Sequence, residues 1–242
     1  MNILGSVPQF AENAISAVAP KEPSEIPFEW PWQTEVDGLW GVGGKLTPGN
    51  LFGAYSHGIF PWPHDGLPML WFSPDKRGLI PLRGNKNFKL KAPASFMKFL
   101  KKTDYEISWN RAFEDVITGC KFQKRPGQAG TWITDEVGAA YIDFHKAGYA
   151  HSIECWQEGR LIGGLYGVFV KGVFSAESMF HREPDASKLC LWNMINTFKD
   201  QDFDFVDIQM VTEITARFGG ILMPRRDYLL RLQKAQKEFL HR

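Results

Sequence analysis

The sequence predicts an α+β fold in which helices flank a central sheet. After residue 150 the apolar residues change from helical spacing to strand-like runs over 151–156, 161–170 and 173–180. Short turns that contain glycine separate these runs, which predicts an antiparallel meander. A helix predicted over 185–198 precedes a strand predicted over 203–210, so the sheet continues beyond the meander.

The chain divides into three predicted segments. Residues 1–33 are rich in Pro and Ala without a sustained period, which predicts a loosely ordered N-terminal arm. Residues 34–83 predict a small N-terminal α/β domain, in which a helix begins at Thr47-Pro48 and a strand covers 69–72. Residues 84–242 form the larger predicted domain, which contains the meander.

Helices are also predicted in the first part of the larger domain, over 93–102 and 110–119. Asn110 is the expected N-cap of the second of these helices, and Gly119 is its expected end. Thr134 is a good N-cap for a longer helix, because acidic residues follow it in the first turn. Short helices are expected at 212–218 and from 224 onwards.

The composition of the chain indicates a protein of a reducing compartment. The 242 residues contain only three cysteines, Cys120, Cys155 and Cys190, and no two of them are close in sequence. The longest apolar stretch, 161–170, is about half the ~20 residues that a membrane span requires. We therefore expect a cytoplasmic protein without a membrane anchor.

Positive charge is concentrated in one part of a chain whose net charge is +1. Residues 83–125 contain 11 Lys and Arg against 4 Asp and Glu. Such a region is typical of a solvated surface, and it is also typical of a surface that binds a polyanion such as RNA.

Polar residues interrupt strands that are otherwise apolar. Asp207 and Gln209 alternate with Val206 and Ile208, so both are expected on one face of a strand. A side-chain amide oxygen can accept an amine proton when an activated electrophile is attacked in a concerted step. We expect Asp207 to orient the Gln209 amide by accepting one of its N–H groups. The alternative is a structural hydrogen-bonded pair.

Glu177 lies in an apolar segment and needs a cation or hydrogen-bond donors if it is buried. One interpretation is a salt bridge to Arg182 or Lys188. The other is a seat for an ammonium group or a hydroxyl group of a substrate. The spacing of the residues leaves both open.

Two tryptophans lie in segments that are expected to be exposed loops. Trp62 stands between prolines, and Trp132 stands in a segment with Gly130 and Thr131. Exposed rings stack on nucleic-acid bases, at about 1–3 kcal/mol per base. The alternative for each tryptophan is a place in the core.

Several other kinds of site lack support in the sequence. The glycine-rich segment 41–45 lacks the Ser or Thr that follows Lys in a phosphate-binding loop. The six histidines show no spacing typical of metal ligands, and there is no Gly-x-Ser-x-Gly motif. We therefore expect no metal site and no serine-hydrolase site.

Eight motifs, in this order, give the chain its resemblance to a known family. They lie at 38–44, 58–62, 71–75, 130–134, 151–154, 163–167, 177–180 and 224–226, and they include Glu177-Ser178-Met179-Phe180. The set closely resembles the motifs of bacterial leucyl/phenylalanyl-tRNA–protein transferases. The resemblance extends over about residues 38 to 230.

This resemblance implies a GNAT-like acyltransferase fold for residues 84–242. It implies transfer of Leu or Phe, with Met as a further donor, from aminoacyl-tRNA to the N-terminal α-amine of proteins that begin with Arg or Lys. The product would be marked for N-degron-dependent degradation. No cofactor is implied, because aminoacyl-tRNA is a substrate with a pre-activated ester. The expected partners are the 3′ acceptor end of the tRNA and peptides with basic N-termini, and the expected state is a monomer.

The resemblance also implies roles for individual residues. The catalytic residues would be Asp207, Gln209 and Glu177. The substrate-binding residues would be Trp62, Trp132, Leu165, Phe174, Ser175, Met179, Leu191, Met194 and Phe198. The tRNA-binding residues would be Lys98, Lys101 and Lys102. Trp62 and Trp132 match aromatic residues around the terminal adenosine.

One segment departs from the family pattern. Ile214 stands where the family usually has His, and Arg217 adds a positive charge nearby. Because that charge would repel a basic acceptor, transfer to acidic N-termini is an alternative. A non-catalytic tRNA-binding module is another alternative.

Overall fold

A small antiparallel sheet and one helix form the first ordered unit of the protein. The structure is a computed structural model that describes residues 8–10, 19–64, 66–83, 92–123 and 131–241. The unit contains β1 (Leu39–Val42), α1 (Pro48–Ser56), β2 (Phe60–Pro61) and β3 (Leu70–Phe72). Its strand order is β1-β3-β2. The helix begins as predicted, because the Thr47 hydroxyl accepts a hydrogen bond from the Asn50 N–H.

A seven-stranded mixed sheet follows. Its strands are β4 (Lys76–Pro81), β5 (Glu106–Trp109), β6 (Ala150–Gln157), β7 (Arg160–Val170), β8 (Val173–His181), β9 (Phe205–Gln209) and β10 (Ile221–Pro224). Their order is β10-β4-β9-β8-β7-β6-β5. The predicted α+β class and the predicted meander of β6, β7 and β8 are both confirmed.

Six helices surround this sheet in the described part of the chain. They are α2 (Ala94–Leu100), α3 (Phe113–Phe122), α4 (Asp135–Lys146), α5 (Ala186–Asp200), α6 (Glu213–Arg217) and α7 (Arg225–Leu240). The apolar residues of α2, α5 and α6 pack on one face of the sheet, which we call the α5 face. Those of α1, α3 and α4 pack on the opposite face, which we call the α4 face, as do those of α7 except Phe239, which belongs to the cluster on the α5 face.

Strand β9 is parallel to β8, because α5 carries the chain back across the sheet between them. The two strands pair only at Phe174 with Val206 and at Ser175 with Asp207. Beyond these pairs β8 runs on along β7, and a register shift there leaves Glu177 without a partner residue on β7. The sheet is therefore split where the polar residues of the two strands lie.

Two expectations about α3 are wrong. Asn110 does not cap the helix, whose N-cap is Ala112. The Asn110 side chain instead accepts the Ser152 N–H, at 3.0 Å, and so belongs to the edge of the sheet. Gly119 lies within the helix and does not end it. A Cβ at Gly119 would lie 2.6 Å from the Phe180 ring, so glycine lets α3 approach β8 closely.

The predicted arm lies partly outside the described residues, which include only 8–10 and 19–33 of it. The described part contains no α-helix and no strand, but Phe10 and Phe28 are buried in the core. Strand β4 precedes the predicted boundary at residue 83 and yet lies inside the large sheet. The division into an arm and two domains stays a prediction. None of the helices in the described residues is long and apolar enough to cross a membrane.

The two glycines on the packed helices α3 and α4 predict opposite effects of alanine. Gly119→Ala should destabilise the protein by about 1–3 kcal/mol, because the new methyl group has no room beside Phe180. Gly138→Ala on α4 should be neutral or stabilising by up to ~1 kcal/mol, because its Cβ would lie 3.5 Å from Ile117. Urea unfolding of both variants measures the difference. Equal effects would contradict the close approach of α3 to β8.

Candidate active site

The candidate active site is built around a buried ion pair between β4 and β9. Arg77 donates from Nε to Asp207 Oδ1 at 2.9 Å and from Nη2 to Oδ2 at 2.7 Å. Both side chains are 1% exposed. The Arg77 guanidinium lies between the rings of Phe60 and Tyr228, at 4.7 and 4.8 Å, and it also donates to the carbonyl of Gly58. The pair therefore joins the small sheet to the large one.

The charges of this cluster follow from its surroundings. Burial lowers the pKa of Arg77, but the charges and hydrogen bonds of its partners, Asp207 above all, outweigh burial and raise it above its usual value. Burial raises the pKa of Tyr228 well above its usual value. Tyr228 is thus a neutral donor, and its hydroxyl reaches Asp207 Oδ2 at 2.8 Å. The Asp207 carboxylate is satisfied by a permanent cation and a neutral hydroxyl.

Asp207 also fixes the backbone of Gln209. The Gln209 N–H donates to Asp207 Oδ1 at 2.9 Å, and Gln209 has a φ of 56°, in the left-handed region. A non-glycine residue in this region is strained unless its surroundings hold it there. Gly78 makes room for the turn, because a Cβ there would lie 2.7 Å from the Met210 backbone. Strand β9 ends at this turn, which sets the direction of the Gln209 side chain.

The side-chain amide of Gln209 binds Glu177 and not Asp207. Its Nε2 donates to Glu177 Oε1 at 2.6 Å. The expected bond from this amide to Asp207 is therefore wrong. The physical reason is that Asp207 already accepts from Arg77, from Tyr228 and from the Gln209 backbone. Asp207 and Gln209 nevertheless both face the α4 side of the sheet, as the alternation of side chains along a strand predicts.

Glu177 lies beneath a pair of buried tyrosines. Its Oε2 accepts from the Tyr141 hydroxyl at 3.4 Å, and that hydroxyl lies 2.5 Å from the Tyr55 hydroxyl. Burial raises the pKa of Glu177 to about 8. Hydrogen bonds from Tyr55 and Gln209 and the charge of Arg77 oppose this rise, while the charge of Asp207 adds to it. Glu177 therefore keeps its proton to a higher pH than an exposed glutamic acid does.

The first interpretation of Glu177, a salt bridge to Arg182 or Lys188, is wrong. Lys188 pairs with Asp185 at 2.5 Å, within the first turn of α5. Arg182 donates to the carbonyl of Leu161. The structure therefore favours the other interpretation of Glu177, in which the carboxyl group is held ready for a polar group from outside.

The sequence did not single out four members of this cluster: Arg77, Tyr228, Tyr55 and Tyr141. Tyr55 and Tyr141 occupy buried positions of α1 and α4, where the sequence pattern does not distinguish them from packing residues. Arg77 lies in a strand that was not predicted. The signal that would have found it is a lone Arg among the apolar residues of β4, opposite an Asp in another buried strand.

Six of the predicted substrate-binding residues lie together on the other face of the sheet, and we call this group the predicted pocket. They belong to one cluster on the α5 face: Leu165, Phe174, Met179, Leu191, Met194 and Phe198. Met179 is only partly buried, and the others are at most 2% exposed. Ser175 is separate from them, because it points to the α4 face, 3.4 Å from Asp207. Phe174 of the apolar cluster and Ser175 of the polar side are the last residues of β8 that pair with β9.

Trp62 and Trp132 lie on the α4 face and are half-buried, not fully exposed as expected. Trp62 stacks with His64, and Trp132 contacts the ring of Tyr141 edge to face at 6.4 Å. A cleft of about 510 Å³ lies beside both segments, and its lining includes Pro63, His64, Thr134 and Asp135. Through Tyr141, this aromatic region is continuous with the carboxyl group of Glu177.

The predicted tRNA-binding lysines lie in a different layer. Lys98 is on α2, and Lys101 and Lys102 follow that helix; all three are exposed. Helix α2 packs on the α5 face through Phe96. Parts of the basic region, at 84–91 and 124–125, lie outside the described residues. Within the described ranges, no three His, Cys, Asp or Glu side chains are grouped as metal ligands.

The family models and the curated relatives that match this chain agree on one class of enzyme. The family model for leucyl/phenylalanyl-tRNA protein transferase matches residues 86–233, and the model for the N-terminal domain of that transferase matches residues 44–75. A leucyl/phenylalanyl-tRNA–protein transferase of Nitratidesulfovibrio vulgaris is 45% identical over 202 residues, 84% of each chain. One from Myxococcus xanthus is 44% identical over 87% of this chain and 88% of its own. Among solved structures, a C-terminal DUF2156 domain from Agrobacterium fabrum matches with a TM-score of 0.40 and 12% identity, over 77% of this chain and 69% of that one.

These relatives define the class as aminoacyltransferases, and the protein is an enzyme of that class. The chain belongs to the leucyl/phenylalanyl-tRNA–protein transferase family.

The buried ion pair predicts a large loss of stability when one partner is removed. Arg77→Met should lower the free energy of unfolding by about 3–5 kcal/mol, because it leaves the Asp207 carboxylate buried without its cation. The matched control is Arg217→Met, whose exposed pair with Glu213 should contribute at most ~1 kcal/mol. Denaturant titration measures both. Equal losses would show that Arg77 is not the partner on which Asp207 depends.

The raised pKa of Glu177 predicts a pH-dependent stability. Unfolded Glu177 loses its proton near pH 4.5, whereas the folded protein keeps it up to about pH 8. The folded state therefore binds the extra proton in this window, and this contribution to stability is lost as pH rises. Glu177→Gln should gain stability relative to the wild type between these two pH values. The free energy of unfolding is measured as a function of pH for both proteins, and parallel curves would contradict the raised pKa. The control is Glu114→Gln, at an exposed position on α3.

Proposed function

We propose that this enzyme transfers Leu or Phe from aminoacyl-tRNA to the N-terminal α-amine of a protein and forms a peptide bond. The observation that carries the proposal is the held amide of Gln209. Its N–H group is bound by Glu177, and no donor among the described residues reaches its carbonyl oxygen. Gln209 is the last residue of β9, two positions after Asp207, at which β9 still pairs with β8.

The proposed reaction replaces one acyl bond with another. The nitrogen of the acceptor amine attacks the carbonyl carbon of the aminoacyl ester, and a C–N bond forms. The ester C–O bond breaks, and the ribose hydroxyl leaves with the proton that the amine gives up. Gln209 Oε1 accepts a hydrogen bond from the attacking amine and so directs its lone pair at the carbonyl carbon. Because the ester is already activated, we propose that no cofactor takes part.

We propose that Glu177 holds the polar end of the donor. A protonated carboxyl group can accept from the Gln209 amide and donate to a ribose oxygen at the same time. An approaching ammonium group would favour the ionised form and would lower its pKa. In either state, Tyr141 and Gln209 keep the carboxyl group in place.

The donor side chain would pass through the split and enter the apolar cluster on the α5 face. Leu165 and Met179 are cross-strand neighbours that begin this cluster, and Met194 and Phe198 continue it along α5. Such a pocket suits Leu, Phe and Met, since one methylene changes selectivity only by about 10–200-fold.

We propose that Trp62 and Trp132 contact the terminal adenosine of the tRNA. The support is their half-buried position beside the cleft and next to Tyr141. Stacking on such rings does not require a particular base sequence. Lys98, Lys101 and Lys102 would bind the phosphates of the acceptor stem, since all three are exposed and positively charged.

We further propose a GNAT-like relationship for the large sheet. The support is its architecture, a mixed sheet whose only parallel pair in the described residues, β8 and β9, separates at the reaction centre. In this arrangement the split between two parallel strands admits the acyl donor.

The proposed acceptors are proteins that begin with Arg or Lys, which the transfer would mark for N-degron-dependent degradation. Arg217 bears on this choice because its charge would repel a basic acceptor. In the structure, Arg217 forms a salt bridge with Glu213 at 2.6 Å, which offsets its positive charge. This pairing removes the argument from Arg217 against a basic acceptor. We also propose a monomer and a cytoplasmic location; the support for the location is that the three buried cysteines form no disulfide bond among the described residues.

A transfer assay with radiolabelled leucyl-tRNA and peptides that differ only in the first residue tests the proposal. Transfer should occur to peptides that begin with Arg or Lys. Gln209→Ala should lower kcat by roughly 100-fold or more, with the Kd for tRNA within about threefold of the wild type. Gln157→Ala, on β6, is the matched control and should keep kcat.

Three outcomes would count against the proposal in different ways. Transfer to Asp- or Glu-initiated peptides alone would replace the acceptor class. Salt-sensitive tRNA binding without any transfer would favour a binding module. Equal losses of kcat and of tRNA affinity in Gln209→Ala would mean that the amide only shapes the fold.

A further inference from the structure

We propose that Phe10, from the N-terminal segment, forms the closed end of the pocket for the donor side chain and thereby determines which donors fit. This inference rests on the proposed function. It concerns a residue that lies outside both regions matched to the family models.

Phe10 is fully buried between the predicted pocket and the rest of the core. Its ring is 0% exposed. The ring lies 4.8 Å from Phe198 and 6.4 Å from Phe174, centroid to centroid, and both of these are predicted pocket residues. On its other sides it meets Trp109 at 5.3 Å and Phe169 at 4.8 Å, which are not predicted pocket residues. Phe10 is therefore a wall shared by the pocket and the core.

The position of Phe10 along α5 places it at one end of the pocket. Met194 and Phe198 lie on successive turns of this helix. Gln201, the C-cap of α5, donates a hydrogen bond to the carbonyl of Pro8 at 2.9 Å. This bond attaches the N-terminal segment to the end of α5 that follows Phe198. The split between β8 and β9, through which the donor would enter, begins after Ser175. Phe10 therefore ends the apolar row of α5 at the Phe198 side.

A ring at this place limits the length of the side chain that the pocket accepts. A buried benzyl group in a close-packed wall leaves no room for further atoms. Replacing it with a methyl group would leave a cavity lined by Phe174 and Phe198. A longer donor side chain would gain contacts in this cavity, whereas Leu would leave it empty.

The experiment compares donors that differ at the far end of the side chain. Phe10→Ala and wild type are assayed with tRNA charged with Leu, Phe or 4-methoxyphenylalanine, and kcat/KM is measured for each. In the wild type, the methoxy donor should be disfavoured against Phe. In Phe10→Ala, the ratio of kcat/KM for the methoxy donor to that for Phe should rise by roughly tenfold or more.

Two further variants control for general damage to the fold. Phe144→Ala removes an equally buried ring on the α4 face, in a different core cluster, and should leave the donor ratio unchanged. Phe10→Leu keeps an apolar group of intermediate length and should fold even where Phe10→Ala does not. Its donor ratio should shift in the same direction by a smaller factor.

The outcomes separate this inference from the proposed function. Transfer of Leu by the wild type tests the proposed function alone. An unchanged donor ratio in both Phe10 variants would overturn the role of Phe10 while leaving the transfer reaction intact. A uniform rise in kcat/KM for every donor would show that Phe10 competes with the donor side chain, and would also overturn it. A binding experiment tests the pocket in the absence of an acceptor. It measures the Kd of amide-linked analogues of phenylalanyl-adenosine with and without the methoxy group. No binding of either analogue to the wild type would overturn both proposals.

Discussion

The arrangement of the site depends on the ion pair between Arg77 and Asp207. A buried carboxylate is unstable without a cation, and a buried guanidinium is unstable without an anion. Strand β4, which carries Arg77, and strand β9, which carries Asp207, therefore each need the other in order to be buried in the sheet. Once paired, Asp207 has oxygens directed at Tyr228 and at the Gln209 backbone. Arg77 in turn reaches the carbonyl of Gly58. One interaction thus sets the relative positions of β4, β9, α7 and the small sheet.

The two faces of the sheet supply different kinds of side chain to the candidate site. The α4 face supplies polar and aromatic groups, and the α5 face supplies an apolar cluster. An intact sheet would keep these groups apart. We propose that they meet where the short pairing of β8 with β9 ends and where Glu177 is displaced on β8. The left-handed conformation of Gln209 completes this arrangement by turning the amide towards Glu177.

Sequence patterns predicted the elements whose signals are local. Alternation identified the meander, and the hydroxyls of Thr47 and Thr134 identified the starts of α1 and α4. Patterns failed where a distant contact decides the outcome. Gly119 has the sequence pattern of a helix end, but it is needed within α3 because the ring of Phe180 leaves no room for a Cβ. Asn110 has the pattern of an N-cap, but its side chain accepts a hydrogen bond from the Ser152 N–H. For the same reason the sequence identified Asp207, Gln209 and Glu177 as a group but assigned the wrong hydrogen bond among them, because the competing donor, Arg77, lies 130 positions from Asp207.

That separation along the chain has a consequence for how the protein is made. A ribosome synthesises Arg77 long before Asp207, and Tyr228 later still. Until those residues emerge, the guanidinium has no anion to meet and must stay hydrated, so β4 cannot join its sheet. Contacts of such long range form late and slow the folding of a chain. The groups that would hold an activated amino acid are therefore assembled only after almost all of the described polypeptide has been synthesised.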